Sequence, residues 1–444
     1  MAGLCRRVAA GGVPQTMDRF EYRDGELYCE NVAVRAVAEA VGTPTYVYSA
    51  ATFREHYDRM AAAFAELDPT ICFSVKSCQN LHILRLLVQR GAGMDVVSGG
   101  ELFRALRAGA DPARIVFAGV GKTDAELREA LQAGIGLFNI ESESELDNLA
   151  ALVRSLGVTA RAALRINPDV DPRTHRHTTT GKRETKFGVD LERARRVFDA
   201  FGRRPELVLG GIHLHIGSPV NTVEPYVEAV TKTLGLIDEL RDAGHAIDTL
   251  DIGGGFGACY AGGEAPPAGV YAEAIVPLLR GRGLRLILEP GRSIAANAAI
   301  LLTRTVHVKQ GGDKQFVIVD GSMTELIRPA LYDAYHFVWP VAPGPAAVPP
   351  DRGGRTGLPG TQKVDVVGPV CESADYLARE RHLPPVRRGD LLAVFTAGAY
   401  GFVMASHYNS RPNAAEVLVD GSDFRVIRRR ETYRDLVAAE ENDL

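Results

Sequence analysis

Between residues 69 and 292 the chain alternates short apolar runs with amphipathic stretches, and that alternation limits what it can fold into. Eight runs read as strands: 71–77, 94–98, 115–119, 137–141, 160–167, 209–217, 249–253 and 284–289. Between them lie helix-patterned segments such as 81–90, 124–133, 143–156, 190–201 and 225–243. The runs are apolar on both faces, as parallel strands buried between helices must be. Eight strand–helix units in a stretch of this size predict an α/β fold, a (β/α)8 TIM-type barrel. A doubly wound open sheet is the alternative. The barrel adds a demand of its own, that functional side chains gather at the carboxyl ends of the strands. Lys76, Asp95, Ser98, Glu141, Arg165, His215, Gly253 to Gly255 and Glu289 to Arg292 all fall in or near those ends.

After residue 293 the texture changes to short β-rich runs, 301–309, 315–320, 364–367, 391–396 and 416–419, separated by Gly, Pro and Asp turns. This predicts a C-terminal all-β domain over 294–444, joined by an N-terminal strand contribution from 17–45. The barrel is then expected over 46–293, with 1–16 a disordered extension. The Pro/Gly-rich stretch 340–360 is expected to be a long solvated loop.

Composition excludes several partners. A net charge of −4 without a basic run argues against nucleic acid or an anionic membrane surface. No apolar run approaches membrane-spanning length, and no segment has the apolar core of a signal peptide. Six cysteines without C-x-x-C or zinc-finger spacing predict reduced thiols and a cytoplasmic protein.

Three motifs carry chemistry. Leu286-Ile-Leu-Glu-Pro-Gly-Arg-Ser293 runs an apolar strand into a carboxylate and an anion-binding turn. That pairing suits a cofactor with a basic ring nitrogen and a phosphate, as in pyridoxal 5'-phosphate. Phe73-Ser-Val-Lys-Ser77 ends a strand on a lysine. Partial desolvation there lowers an amine's pKa and fits it for Schiff-base formation, although a snorkelling surface lysine is the commoner case. Asp251-Ile-Gly-Gly-Gly-Phe-Gly257 lets backbone N–H groups close on a phosphate. It is no dinucleotide fingerprint, since Ala258 stands where the last glycine belongs. Gly121-Lys-Thr123 is no P-loop, since Val116 replaces its first glycine.

His213 and His215 share a strand face. Zinc is a weak reading, with no third ligand nearby in sequence, so no metal is expected. His213 is expected to be a satisfied core or supporting histidine, and His215 to stack on a flat ring. Val370-Cys-Glu-Ser373 sets a thiol beside a carboxylate at a turn, a proton donor and an ammonium holder, though a buried structural cysteine is the commoner case.

Taken in order, Phe73-Ser-Val-Lys, Asp95-Val-Val-Ser-Gly-Gly-Glu-Leu, Glu184-Thr-Lys-Phe-Gly, His213-Leu-His-Ile-Gly-Ser, Asp251-Ile-Gly-Gly-Gly, Glu289-Pro-Gly-Arg, Gly368-Pro-Val-Cys-Glu-Ser and Tyr408-Asn-Ser-Arg-Pro form a specific set. The chain resembles the fold-type III pyridoxal-phosphate decarboxylases, the diaminopimelate decarboxylases most of all, over about residues 20–438. The resemblance implies that Lys76 carries the cofactor, Glu289 pairs with its pyridine nitrogen and His215 stacks on its ring. It implies that Asp95 and Arg165 order the lysine and the ring-oxygen side. Ser218, Gly253, Gly254, Gly255 and the Gly291–Arg292 backbone would hold phosphate, with Tyr400. Arg292, Arg328 and Tyr332 would meet the far carboxylate of the substrate, with Tyr400 beside it. Cys371 would donate the proton and Glu372 grip the distal ammonium, both from the partner subunit of a homodimer.

The implied reaction is decarboxylation of meso-2,6-diaminopimelate to L-lysine, a step of lysine biosynthesis. Ornithine has no far carboxylate for these arginines to meet. The alternative is a related decarboxylase acting on another diamino acid or on a carrier-bound glutamyl substrate. Alanine racemases meet the pyridine nitrogen with arginine, and Glu289 argues against them. A non-catalytic homologue would be free to lose Cys371 or the β domain. The chain departs from the family at Phe73-Ser-Val-Lys-Ser-Cys, at Pro219 and in the length of 340–360.

Overall fold

The computed structural model describes residues 17–171, 186–261, 265–353 and 359–441. Two compact units divide the chain, 56–257 with 265–293, and 1–55 with 258–264 and 294–444.

The first unit is a closed parallel barrel. Its strands are β1 Thr70–Ser74, β2 Gly93–Val96, β3 Ile115–Phe117, β4 Leu137–Ile140, β5 Ala160–Asn167, β6 Leu207–Leu214, β7 Thr249–Asp251 and β8 Arg285–Leu288. Each pairs with the next, and β8 closes on β1. A short strand, Val189–Asp190, adds to the edge of β5. All eight predicted strands are present, and all but β5, which matches its run, end earlier than the apolar runs because the last residues turn into the functional loops.

Local sequence fixes where the helices begin. Asn80, Ser98, Thr123, Ser142 and Asp190 each accept a first-turn backbone N–H, satisfying donors that a helix start leaves open. Thr123 and Glu126 complete a reciprocal capping box.

Period-two alternation then builds the barrel interior in layers. Cys72, Val116, Leu137, Ala163 and Ile287 form a buried apolar cluster. Two residues further along β1, β4, β5 and β8 the same face presents Ser74, Asn139, Arg165 and Glu289. Register brings Asp95 level with Ser74, His213 level with Arg165, and Asp251 level with His213. An apolar floor therefore supports a polar storey.

The second unit is mostly β. Its main sheet runs Tyr376–Leu383, Gln362–Val367, Lys314–Val319, Ala299–Gly311, Thr45–Ser49, Ala415–Asp420, Asp423–Arg428, with Val338–Pro340 and Leu391–Val394 attached through Ala299–Gly311. Thr45–Ser49 corrects the expected barrel boundary at 46. This run, β-branched or aromatic except for Ser49, is buried at every position and pairs with Ala299–Gly311 and Ala415–Asp420. Its partners lie over 200 residues on, so nothing local marked the assignment.

The N-terminal strands Phe20–Arg23, Glu26–Cys29 and Val32–Ala33 belong to this unit, where they form a three-stranded sheet of their own beside the main one. The described part of 340–360 is anchored. Trp339 donates its indole N–H to Ala347 O at 3.0 Å, and Arg352 pairs with Asp18. The expected disordered extension 1–16 lies outside the described residues.

Candidate active site

The barrel's carboxyl end brings together most of the predicted cofactor residues. Lys76 sits in the 3-10 turn Val75–Ser77 just past β1. Its Nζ pairs with Asp95 Oδ2, which also accepts the Ser74 hydroxyl. The lysine side chain is 34% exposed and Asp95 fully buried, so the amine stands at the mouth on a fixed anion. Burial, then the charge of Glu289, raises the Asp95 carboxyl, against the pull of Lys76. Glu101, in the helix Gly99–Ala108, accepts the Val97 N–H at 2.9 Å. Burial pushes its carboxyl up to about 7.

Glu289 follows β8 and is buried. Its Oε1 accepts from Asn139 Nδ2 at 3.1 Å, and its Oε2 lies 3.6 Å from His213 Nε2. Burial works to raise Glu289, but His213 and Lys76 outweigh it and hold the carboxyl below its usual range. The expectation of a satisfied His213 needs correcting. Neither ring nitrogen has a hydrogen-bond partner, because Glu289 Oε2, its neighbouring acid, stands at 3.6 Å, just beyond bonding length. His213, Asp251 and Glu289 place ligand-type atoms within 4.8 Å of one another, a grouping invisible in sequence spacing. The Asn139 amide donates into both carboxyls of that group, where a cation would have to sit.

His215 lies at the end of β6, and its Nδ1 accepts the Gly254 N–H at 3.3 Å. Burial and then the Arg165 charge bring the ring down to about 3, so it is neutral and planar at neutral pH. Arg165 itself is locked in a buried ion pair with Glu141 at 2.8 Å. Glu141 also accepts the Gly188 N–H at 2.8 Å, and Phe187 packs on the guanidinium. Residues 184 and 185 of that motif lie outside the described residues.

The glycine turn after β7 is shaped by close approach. A Cβ on Gly254 would lie 2.2 Å from Glu289 O, and one on Gly255, whose φ is +97°, would lie 2.2 Å from Gly217 O. Gly253 has φ +66°. Beside the turn, Arg292 Nε donates to Ser218 Oγ at 3.2 Å. Gly291 abuts Ser74, where a Cβ would meet the serine Cβ at 2.8 Å. The Gly253 N–H is given to Asp251 and the Gly254 N–H to His215, so what this turn offers an anion comes chiefly from the Ser218 hydroxyl and the Arg292 guanidinium beside it.

The remaining predicted residues belong to the β unit. Arg328 opens the short helix Arg328–Tyr332 and is buried. It donates to His336 Nε2 at 3.3 Å and lies over the Tyr260 ring. His336 therefore carries its proton on Nδ1, 3.0 Å from Phe395 O. Tyr332 and Tyr400 are half-buried, and Tyr400 has φ +55°. Cys371 and Glu372 are exposed. Their turn is braced from inside, since Asp375 accepts the N–H groups of Val370 and Met323, each at 2.7 Å. Exposure sets aside the reading of Cys371 as a buried structural thiol.

Sequence reasoning assigned no role to Asn139, Asp251, Glu101 or Asn409. For Asn139 a signal existed, as it stands two residues past Leu137 on one strand face. Lys122, rightly refused as a P-loop lysine, is fully buried and donates to Gly119 O, Asn139 O and Glu145.

Residues 50–296 match the family described as pyridoxal-dependent decarboxylase, pyridoxal binding domain. The chain belongs to the pyridoxal-dependent decarboxylases. It is 47% identical over 424 residues to the diaminopimelate decarboxylase of Pseudomonas aeruginosa, covering 96% of this chain and 99% of that one. It is 46% identical over 419 residues to the enzyme of the same name from Aquifex aeolicus, covering 94% and 96%. A crystal structure of diaminopimelate decarboxylase from Helicobacter pylori complexed with L-lysine matches with TM-score 0.86 at 38% identity, over 93% of this chain and 100% of that one. Within its class, the chain's family is that of the diaminopimelate decarboxylases.

The barrel residues fit pyridoxal phosphate. An amine stands at the mouth, a buried acid is held ionised, a neutral flat ring borders the same space, and an anion cradle lies at the β7–β8 end. No helix among the described residues is long and apolar enough to cross a membrane.

Proposed function

We propose that this chain decarboxylates meso-2,6-diaminopimelate to L-lysine and CO2 with pyridoxal 5'-phosphate, as a cytoplasmic homodimer in lysine biosynthesis. The observation that carries the reading is the meeting of Lys76, Asp95, His215 and Glu289 in one barrel mouth, in a chain nearly half identical to enzymes of that name.

Lys76 Nζ is the amine that would hold the cofactor, kept in place by Asp95. Glu289 would face the pyridine nitrogen, and His215 would lie against the ring, neutral and without a competing charge. Ser218, Arg292, Gly253, Gly254, Gly255 and Gly291 would take the phosphate, with Tyr400 closing that site. Arg165, fixed by Glu141, would serve the ring-oxygen side. When bound, pyridoxal phosphate supplies an electron sink for the pair released as CO2 leaves.

The β unit contributes recognition and a proton. Arg328 and Tyr332, with Arg292 of the barrel, bind the carboxylate that is retained, an arginine fork being the better match for a carboxylate than a lysine. Glu372 holds the distal ammonium. Cys371 gives its thiol proton to the substrate carbon that has lost CO2. Both residues are supplied by the partner subunit, in keeping with their exposure here.

Incubation of purified protein with pyridoxal phosphate and meso-diaminopimelate tests the whole reading. Equal release of lysine and CO2 is expected, with little turnover of ornithine. No lysine from the stereochemically pure substrate would reject it.

A further inference from the structure

Asp251 is a fully buried acid that the proposed chemistry does not use. Its Oδ1 accepts the Gly253 N–H at 2.8 Å, and its Oδ2 accepts from Asn139 Nδ2 at 2.9 Å. The same Asn139 nitrogen reaches Glu289 Oε1, so one amide bridges two acids. Asn139 has little freedom to do otherwise. Its backbone carbonyl takes a hydrogen bond from the buried Lys122 at 2.7 Å, which anchors the end of β4.

Two buried carboxyls bridged by one amide cannot both be ionised without a counter-charge between them. The donor between them is a neutral amide, and the cation at the mouth is committed to Asp95. One acid of the pair must keep a proton. We propose that Asp251 is the neutral member, and that with Asn139 it acts as a positioning pair keeping the single negative charge on Glu289, where a pyridine nitrogen would meet it. The inference rests on the role given to Glu289 above.

The surroundings favour that distribution. Glu289 has the His213 ring at 3.6 Å and feels the Lys76 charge. Asp251 is pushed well up by burial, then by the charge of Glu289 and the hydrogen bond with it. His213, Asp251 and Glu289 are the titratable groups that gather around the Asn139 amide, with Lys76, Asp95 and Arg165 beyond them.

Three variants of the full chain test this by pyridoxal phosphate affinity, followed through the cofactor's visible absorbance, with the melting temperature of the cofactor-free protein alongside. Asp251→Asn is close in shape to a neutral aspartic acid: its Oδ1 still accepts the Gly253 N–H, its Nδ2 can donate to Glu289 in place of the acid proton, and the Asn139 amide keeps its bond to Glu289. Its affinity should stay within about threefold of wild type and its melting temperature should not fall. Glu289→Gln removes the charge itself and should lose at least about 30-fold in affinity. Asn139→Asp replaces the donor with a third acid. Its affinity should fall at least about 30-fold at pH 8 and recover toward pH 6, as the added carboxyl takes up a proton and donates again.

An Asp251→Asn protein that folds but loses affinity as badly as Glu289→Gln would overturn the inference and leave the Glu289 reading intact. So would an Asn139→Asp loss that is the same at every pH, a result still readable if Asp251→Asn fails to fold. Unchanged affinity in Glu289→Gln would overturn the role of Glu289, and the inference with it.

Discussion

The side-chain oxygen of Asn409 accepts the backbone N–H of Cys371 at 2.7 Å. Asn409 adopts φ +56°, a left-handed conformation that asparagine tolerates better than most residues. The exposed turn that presents the proposed proton donor is thus held by a side chain 38 positions away. Asn409→Gly keeps the backbone comfortable and removes only the acceptor. We expect kcat to fall about tenfold, with KM and cofactor absorbance nearly unchanged, because the loss concerns a bond-making step rather than binding. Asn409→Asp keeps an acceptor and should retain most activity. Steady-state kinetics of the two variants would separate positioning from simple loss of fold.

Sharing of sites between subunits predicts complementation. Lys76→Ala and Cys371→Ala should each be nearly inactive alone. Mixed and re-associated, they should recover up to about a quarter of wild-type activity, since half the dimers are mixed and each mixed dimer has one intact site. No recovery, with mixed dimers demonstrated by tagged pull-down, would place Cys371 in the site of its own subunit.

Arg328 is proposed to bind a part of the substrate remote from the bond that breaks. Arg328→Ala should raise KM for meso-diaminopimelate at least about tenfold and leave the visible band of bound cofactor in place. An unchanged KM would remove Arg328 from the substrate site.

The pair Glu141–Arg165 is buried on both sides, at 3% and 7% exposure. Removing one partner strands the other charge inside the barrel. Glu141→Ala should cost about 3–5 kcal/mol of stability. Glu141→Gln, which can still accept the Gly188 N–H, should cost less. Urea unfolding of the cofactor-free protein measures both.

His215 gives a pH signature. Its folded value of about 3 lies below the ordinary histidine value, mainly through burial and then through Arg165. Between those two values the unfolded chain binds the extra proton, so the folded state loses stability as pH falls from about 6.5 toward 3. By pH 5 this group alone should cost on the order of 2 kcal/mol. His215→Gln removes that contribution, so the gap in unfolding free energy between pH 7 and pH 5 should be smaller than in wild type. Equal gaps would show that the ring is not held neutral by the fold.

The barrel was readable from sequence because parallel strands announce themselves by continuous apolar runs and their helices by period and caps. Lys76, Asp95, His215 and Glu289 were readable because each stands in or just beyond such a run. The β unit was less legible. Thr45–Ser49 takes its partners from Ala299–Gly311 and Ala415–Asp420, and no local pattern encodes a pairing over that separation. Tyr376–Leu383, with Arg379, Glu380, Arg381 and His382 in its second half, lacked the apolar signature of a strand. Asn139 and Asp251 escaped assignment because their meaning lies across the barrel lumen, 112 residues apart along the chain.

The stacking of a polar storey on an apolar floor makes the reading frame of each strand part of the chemistry. Deleting one residue within β8 would swing Glu289 toward the surrounding helices and hand its place to Leu288 or Pro290. Such a protein could still bury a respectable interior while having no acid facing the lumen from that strand. Length changes in this lineage are therefore tolerable in the loops and ruinous inside the staves.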